Sequence, residues 1–198
     1  KLFILAAFFI IQAGWSQKSF PNLESGKNSI NFKGNPKNAT DRKSLAFSDK
    51  GAWFGFGFLE PSEVQAGFSG PFLMTEQNGV WLSASFVSLQ LKDENKQEVI
   101  SWKNTLVSQN SYNSHLEQQF KNEKVEVKQQ LVFLSGHSAL QKTAITNKSA
   151  KPLTIYPSYD ATLFLDDLQL SKEDNTLKIS SAKSIAVGYI QFLKTKAE

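Results

Sequence analysis

The chain has no cysteine in its 198 residues, so it can form no disulfide, no thiolate metal site and no cysteine nucleophile. Histidine is almost as scarce. His115 and His137 are the only two, and they fall in separate runs without the further ligands a zinc centre needs, so no metal is expected. Charge of one sign is also lacking: 22 basic and 18 acidic side chains give a net +4. The lysines alternate with Glu and Asp, as in Lys92-Asp93-Glu94-Asn95-Lys96, which is the pattern of solvated turns and excludes nucleic acid as an expected partner. No apolar run reaches the roughly 20 residues that span a bilayer. Ser135-Gly136-His137-Ser138 lacks the frame of a nucleophile elbow, Asp160, Asp166 and Asp167 lack the spacing of a calcium loop, and no cofactor is expected.

The one apolar run, residues 2–11, follows Lys1 and precedes Ala13, Gly14 and Ser16. A basic start, a short apolar core and a small-residue region are the layout of a secretory signal peptide, expected to occupy residues 1–16. Lys1 in place of Met leads us to expect residues ahead of it. Loss of the leader leaves 21 basic and 18 acidic side chains, a net +3, and no membrane association is expected after cleavage. An exported chain without disulfides has to rely on its core, and one of this size hides roughly 70% of its unfolded surface. Residues 17–46, rich in Asn, Lys, Ser, Gly and Pro, show neither a helical nor a strand period and read as an extended, partly mobile lead-in.

Aromatics and glycines concentrate in residues 47–82. Ala52, Phe54, Phe56 and Phe58 alternate with Trp53, Gly55, Gly57 and Leu59, the period of a strand with one row of rings and two bare positions on the other face. Glycine inside a strand marks a bend or the close approach of a ligand or another backbone. Asp49-Lys50-Gly51 reads as a turn, as do Gly67, Gly70 and Pro71, and Asn78-Gly79 is a tight-turn signal. Trp53 and Trp81 could offer flat faces to a sugar, with Asp49 or Glu76 accepting its hydroxyl hydrogens; the alternative is that the rings fill a core or interface. Asp49, Glu60, Glu63 and Glu76 are the acids near this cluster, and spacing alone pairs none of them.

The remainder reads as strands between polar turns. Residues 80–91 and 98–107 are each expected as a strand, and 114–120 with 125–134 as a hairpin carrying Val125, Val127, Leu131 and Phe133 on one face. Residues 139–146 and 153–159 are expected as a second hairpin, 163–172 as one or two helical turns, and 177–180 and 185–193 as the last strands. Strands at this spacing predict an all-β fold, an antiparallel (super) β-sandwich spanning residues 47–198.

The motif Asp49-x-Gly51-Ala52-Trp53-x-Gly55, followed by Gly67-Phe68-x-Gly70 and Leu73-Met74-Thr75-Glu76, resembles the opening of the N-terminal domain of bacterial glycoside hydrolase family 63, the processing α-glucosidases. The resemblance is tightest over residues 47–89. It implies a β-sandwich that is incomplete at its C-terminal end, belonging to an exported, periplasmic or cell-surface enzyme. It also implies that the catalytic acid and base lie on a separate (α/α)6 barrel, so that no catalytic residue is carried over to this chain. Asp49, Gly51, Trp53, Phe54, Phe72, Glu76 and Trp81 become candidates for contacting substrate or barrel, although Phe54 stands where some members carry a more polar residue. The expected partners are that barrel and an oligosaccharide or glucoside. The complete protein would be an inverting α-glucosidase, and this portion would shape its cleft without transferring protons. A stand-alone carbohydrate-binding or adhesion sandwich is the alternative, and a mutarotase-like sandwich is a further one.

Overall fold

A computed structural model describes residues 26–33, 35–61, 65–74, 78–181 and 184–193. The expected leader, Glu63 and Glu76 lie outside the described residues. The first sheet is built from β1 (Phe54–Gly57), β2 (Ala66–Leu73), β3 (Val80–Trp81) and β4 (Phe86–Lys92), β2 pairing with each of the others. A single helical turn, α1 (Trp102–Thr105), leads into the second sheet. There β5 (Leu106–Ser111), β6 (His115–Lys121), β7 (Val125–Ser135) and β8 (Ser138–Asn147) run antiparallel in sequential order. The chain then returns to the first sheet as β9 (Tyr156–Asp160), which pairs with β4. It ends in a three-stranded meander of β10 (Leu168–Glu173), β11 (Thr176–Ser181) and β12 (Ser184–Gln191). The fold is all-β and antiparallel, as expected.

The two main sheets face each other across a core in two parts. Leu89, Leu91, Trp102, Phe120, Val125 and Val127 anchor one cluster; Phe47, Phe58, Phe68, Leu116, Leu131 and Phe133 anchor the other. Between them runs a row of buried amides. Gln109, Gln118, Gln129 and Thr143 are paired neighbours across β5, β6, β7 and β8, and Gln118 and Gln129 are both 0% exposed. Gln109 Nε2 donates to Gln118 Oε1 at 3.3 Å, Gln118 Nε2 to Gln129 Oε1 at 2.8 Å, and Gln129 Nε2 to Thr143 Oγ1 at 3.2 Å. The same amides reach across the sandwich to the carbonyls of Leu59, Gly67 and Ala66, at 3.0, 2.7 and 3.1 Å. The register between β2 and β4 shifts between Ala66 and Phe68, and a bulge of this kind frees carbonyls from the ladder. Gln129 and Gln118 take up the Ala66 and Gly67 carbonyls there, and Gln109 takes up Leu59 O ahead of β2; inside a core each would otherwise cost about 1–3 kcal/mol.

Several sequence expectations need correction. The second hairpin does not form: β8 pairs with β7 in one sheet and β9 with β4 in the other. Leu153 and Ile155 pack on the core between them, so the connection crosses from sheet to sheet. Residues 98–107 are not one strand, because Val99 and Ile100 are both buried in succession and Trp102 is buried at the start of α1, which a period of two does not allow. Residues 80–91 are split into β3 and β4 by a bend at Ala84 and Ser85, and β4 carries Val87 with a φ of 56°. The expected helical turns at 163–172 include strand β10, where Leu168 and Leu170 alternate and pair opposite Ser181 and Ile179. Gly67, Gly70 and Pro71 lie inside β2 rather than in turns.

The described part of the lead-in, residues 26–33 and 35–46, is a strap held to the strands by backbone hydrogen bonds. Asn28 N donates to Ser111 O at 2.7 Å, Phe58 N to Phe32 O at 2.8 Å and Trp81 N to Ala39 O at 2.9 Å. The strap pairs by its backbone with the edge of β1, through the bridges Phe47–Phe56 and Lys33–Phe58, and its carbonyls come up against the two bare positions. A Cβ on Gly57 would lie 2.7 Å from Phe32 O, and one on Gly55 would lie 2.8 Å from Phe47 O. The glycines therefore admit the protein's own backbone.

Candidate functional site: the aromatic hairpin

The motif around Asp49 is a tight turn. Lys50 and Gly51 have φ of 56° and 69°, and Ala52 N donates to Asp49 O at 3.0 Å, which together describe a type I′ turn. Asp49 Oδ1 accepts from Lys50 N at 2.7 Å, and Ser48 Oγ donates to Ala52 O at 2.9 Å. Nothing lies within 4 Å of a Cβ placed on Gly51, so glycine is required there for its φ and not for space. Behind the turn, Phe47 and Phe56 exchange backbone hydrogen bonds of 2.6 and 2.9 Å. The turn is also backed by the β7–β8 connection, since a Cβ on Gly136 would lie 3.4 Å from Lys50 O.

This braced tip separates the candidate residues by role. Phe54 points between the sheets, its ring 5.2 Å from Phe133 and 5.9 Å from Phe56. Trp53, its neighbour in sequence, points the other way and is 64% exposed, while its carbonyl is held by Met74 N at 2.8 Å. Phe72 is half-buried, 4.9 Å from Trp81 and 5.7 Å from the Arg42 guanidinium carbon. Trp81 is only 1% exposed and offers no face to a ligand; its indole N–H donates to Asp41 O at 2.9 Å. Arg42 Nη2 donates to Gly79 O at 2.8 Å, which closes the strap over Phe72 and Trp81. Of the seven candidates, the structure thus brings Asp49, Gly51 and Trp53 together at the tip, places Phe54 in the core, and puts Phe72 and Trp81 beneath the strap; Glu76 lies outside the described residues.

Backbone N–H groups of Lys43 and then Lys37 hold the Asp41 carboxyl below the ordinary carboxylate range. A lowered pKa means that this carboxylate favours the folded strap above its unfolded pKa, and that the contribution is lost as pH falls through the lower folded value.

The other titratable candidates are scattered. Glu60 is exposed, and its backbone N–H donates to Asn35 Oδ1 at 3.2 Å. His115 stacks on Tyr112 at 4.5 Å, and His137 is exposed in the β7–β8 turn. Among the described residues no cluster of His, Asp and Glu gathers to hold a metal. What the hairpin can supply is contact: an exposed indole on a fixed turn, suited to a sugar face or a protein surface. Sequence reading missed Arg42 and the three glutamines. Gln118 and Gln129 carried a signal, since each stands where the alternation of its strand demands a buried residue; Gln109, in a polar strand, carried none.

The family described as the N-terminal region of glucosidase YgjK matches residues 30–195. No curated protein matches the chain. The match takes in the strap, both main sheets and the meander, and the chain belongs to this family, that of the N-terminal domain of glucosidase YgjK.

Proposed function

We propose that the chain is the non-catalytic N-terminal domain of an exported, inverting α-glucosidase of the family 63 type, and that it docks on an (α/α)6 catalytic barrel and walls one side of the sugar cleft. The observation that carries this reading is Trp53: a large ring 64% exposed on a turn braced from two sides. Exposed rings on rigid backbone are the usual anchors of an interface, because they bury much area and lose little entropy on docking. Membership of a family described as the N-terminal region of a glucosidase supports the reading that the remainder of such an enzyme is the partner. Export rests on the layout of residues 1–16. A docked sandwich would contribute orientation of the substrate, while proton transfer between two acids would be the work of the barrel.

Hydroxyl-radical footprinting read at single residues tests the docking. Trp53 is expected to oxidise readily in the chain alone and about fivefold more slowly in the complete glucosidase, as for a residue entering a desolvated interface. Equal oxidation in both would contradict docking through the hairpin. Protection of Trp53 in the chain alone on addition of a glucoside would favour the second reading, a carbohydrate-binding module that uses the same indole face.

A further inference from the structure

The amide row of the second sheet runs in one direction and is open at one end. Both N–H groups of each glutamine are spent: Gln109 Nε2 on Leu59 O and Gln118 Oε1, Gln118 Nε2 on Gly67 O and Gln129 Oε1, and Gln129 Nε2 on Ala66 O and Thr143 Oγ1. No glutamine of the row therefore has a donor to spare for its first oxygen, Gln109 Oε1, which is buried and has no hydrogen-bond partner among the described residues. Turning the Gln109 amide over does not help, because the oxygen would then face two other acceptors, Leu59 O and Gln118 Oε1.

Gln109 is 8% exposed and lies on β5, the end strand of its sheet. It forms part of the wall of a cavity of about 250 Å³ between β5 and the strap, to which Phe32 and Phe58 bring rings and Lys33 an ammonium group. The frame of this cavity is preformed: Asn28 N donates to Ser111 O at 2.7 Å, Ser111 Oγ to Ile30 O at 2.8 Å, and Phe58 N to Phe32 O at 2.8 Å. Residues 27–31 of the strap are nonetheless exposed, so that wall can yield by a small shift as a ligand seats on the buried oxygen.

A buried acceptor without a donor selects its ligand by the sign of the group it meets. It rejects carboxylates and phosphates, whose oxygens are acceptors too, and Lys33 on the same cavity disfavours a cationic donor. A neutral O–H or N–H donor remains. The volume is below the roughly 300–1,000 Å³ of sites for drug-sized ligands, which limits the occupant to about one ring. Phe32 and Phe58 suit a ring with an apolar C–H face.

We infer that the cavity between the strap and β5 is a binding site for a single neutral sugar ring, one of whose hydroxyls donates to Gln109 Oε1 and completes the amide row. Its other hydroxyls have the Asn31 amide and the Lys33 ammonium, both exposed at the cavity, as further partners. The site does not include Trp53, so it stands independently of where the hairpin docks.

Methyl NMR of the complete protein, labelled at isoleucine, tests this with D-glucose as the probe and tetrahydropyran, the same ring without hydroxyls, as its control. The methyl of Ile30 on the cavity wall is expected to shift saturably with D-glucose, while that of Ile100, buried with Leu89 and Trp102, stays in place. Tetrahydropyran is expected to bind at least about tenfold more weakly, since a site built around a hydroxyl rejects the analogue that lacks it. Gln109→Met removes the acceptor and is expected to weaken D-glucose binding by a similar factor. That variant also loses the donor to Leu59 O, whereas the change of probe leaves the protein unaltered and decides the matter if the variant fails to fold. No saturable shift of Ile30 with D-glucose would overturn the inference, a buried water then being the donor to Gln109. Equal affinity for the two rings would overturn it as well.

Discussion

Replacing Gln118 with Leu is expected to destabilise the sandwich by about 4 kcal/mol, although the substitution puts a good core residue of similar size at a fully buried position. Gln118 is the middle member of the amide row. Its loss leaves Gly67 O and Gln129 Oε1 without donors and one Gln109 N–H without its acceptor, all inside the core. An orphaned buried polar group costs about 1–3 kcal/mol, and the gain from the apolar side chain offsets only part of three such losses. Domain stabilities are about 5–15 kcal/mol, so the variant should lose a large share of the total. Gln130→Leu is the control: Gln130 is half-buried on the outer face and donates to Glu117 Oε2 at 2.9 Å, and its loss should cost about 0.5 kcal/mol. Urea unfolding followed by tryptophan fluorescence reads both. A loss below about 1 kcal/mol for Gln118→Leu would mean that the row is incidental to the packing.

Trp81→Ala is expected to cost about 4 kcal/mol, the usual range for deleting a buried aromatic ring, and to release the strap. The indole fills the space beneath Asp41 and Arg42, contacts Phe72 at 4.9 Å, and donates the hydrogen bond that ties it to Asp41 O. Limited proteolysis should therefore cut within residues 37–43 of the variant and spare the parent. Trp81→Phe keeps most of the ring and loses the donor, and about 1 kcal/mol is expected. Trp53→Ala should change the stability of the chain by less than about 0.5 kcal/mol, because nothing is buried by its exposed face. Similar losses for Trp81→Ala and Trp53→Ala would contradict the separation of a structural from a presented tryptophan.

These two tryptophans show what the sequence could and could not disclose. Both sit in stretches of alternating apolar pattern, but what covers Trp81 is Asp41, forty positions earlier in a segment with no period of its own. The same holds for the glycines of β1, whose bare face is filled by residues 32 and 47. The β6–β7 hairpin was legible because its alternation is strong and its turn short, so the strands have no nearer partner. β8 and β9 were misread for the opposite reason, since β9 is partnered by β4, more than sixty residues away, and the turn-like residues between them are a crossing. The amide row was legible in principle. Val125, Val127, Gln129, Leu131 and Phe133 alternate on one face, as do Leu116, Gln118 and Phe120 on its neighbour, and a glutamine at such a position is buried whether or not its partners can be named in advance.

Glucose release from an α-glucoside, assayed in parallel for this chain and for the complete glucosidase, tests the central claim most directly. The account predicts no hydrolysis by the chain and hydrolysis with inversion at the anomeric carbon by the complete protein, abolished by changing either of two facing acids outside residues 1–198. Hydrolysis by the chain alone would contradict it.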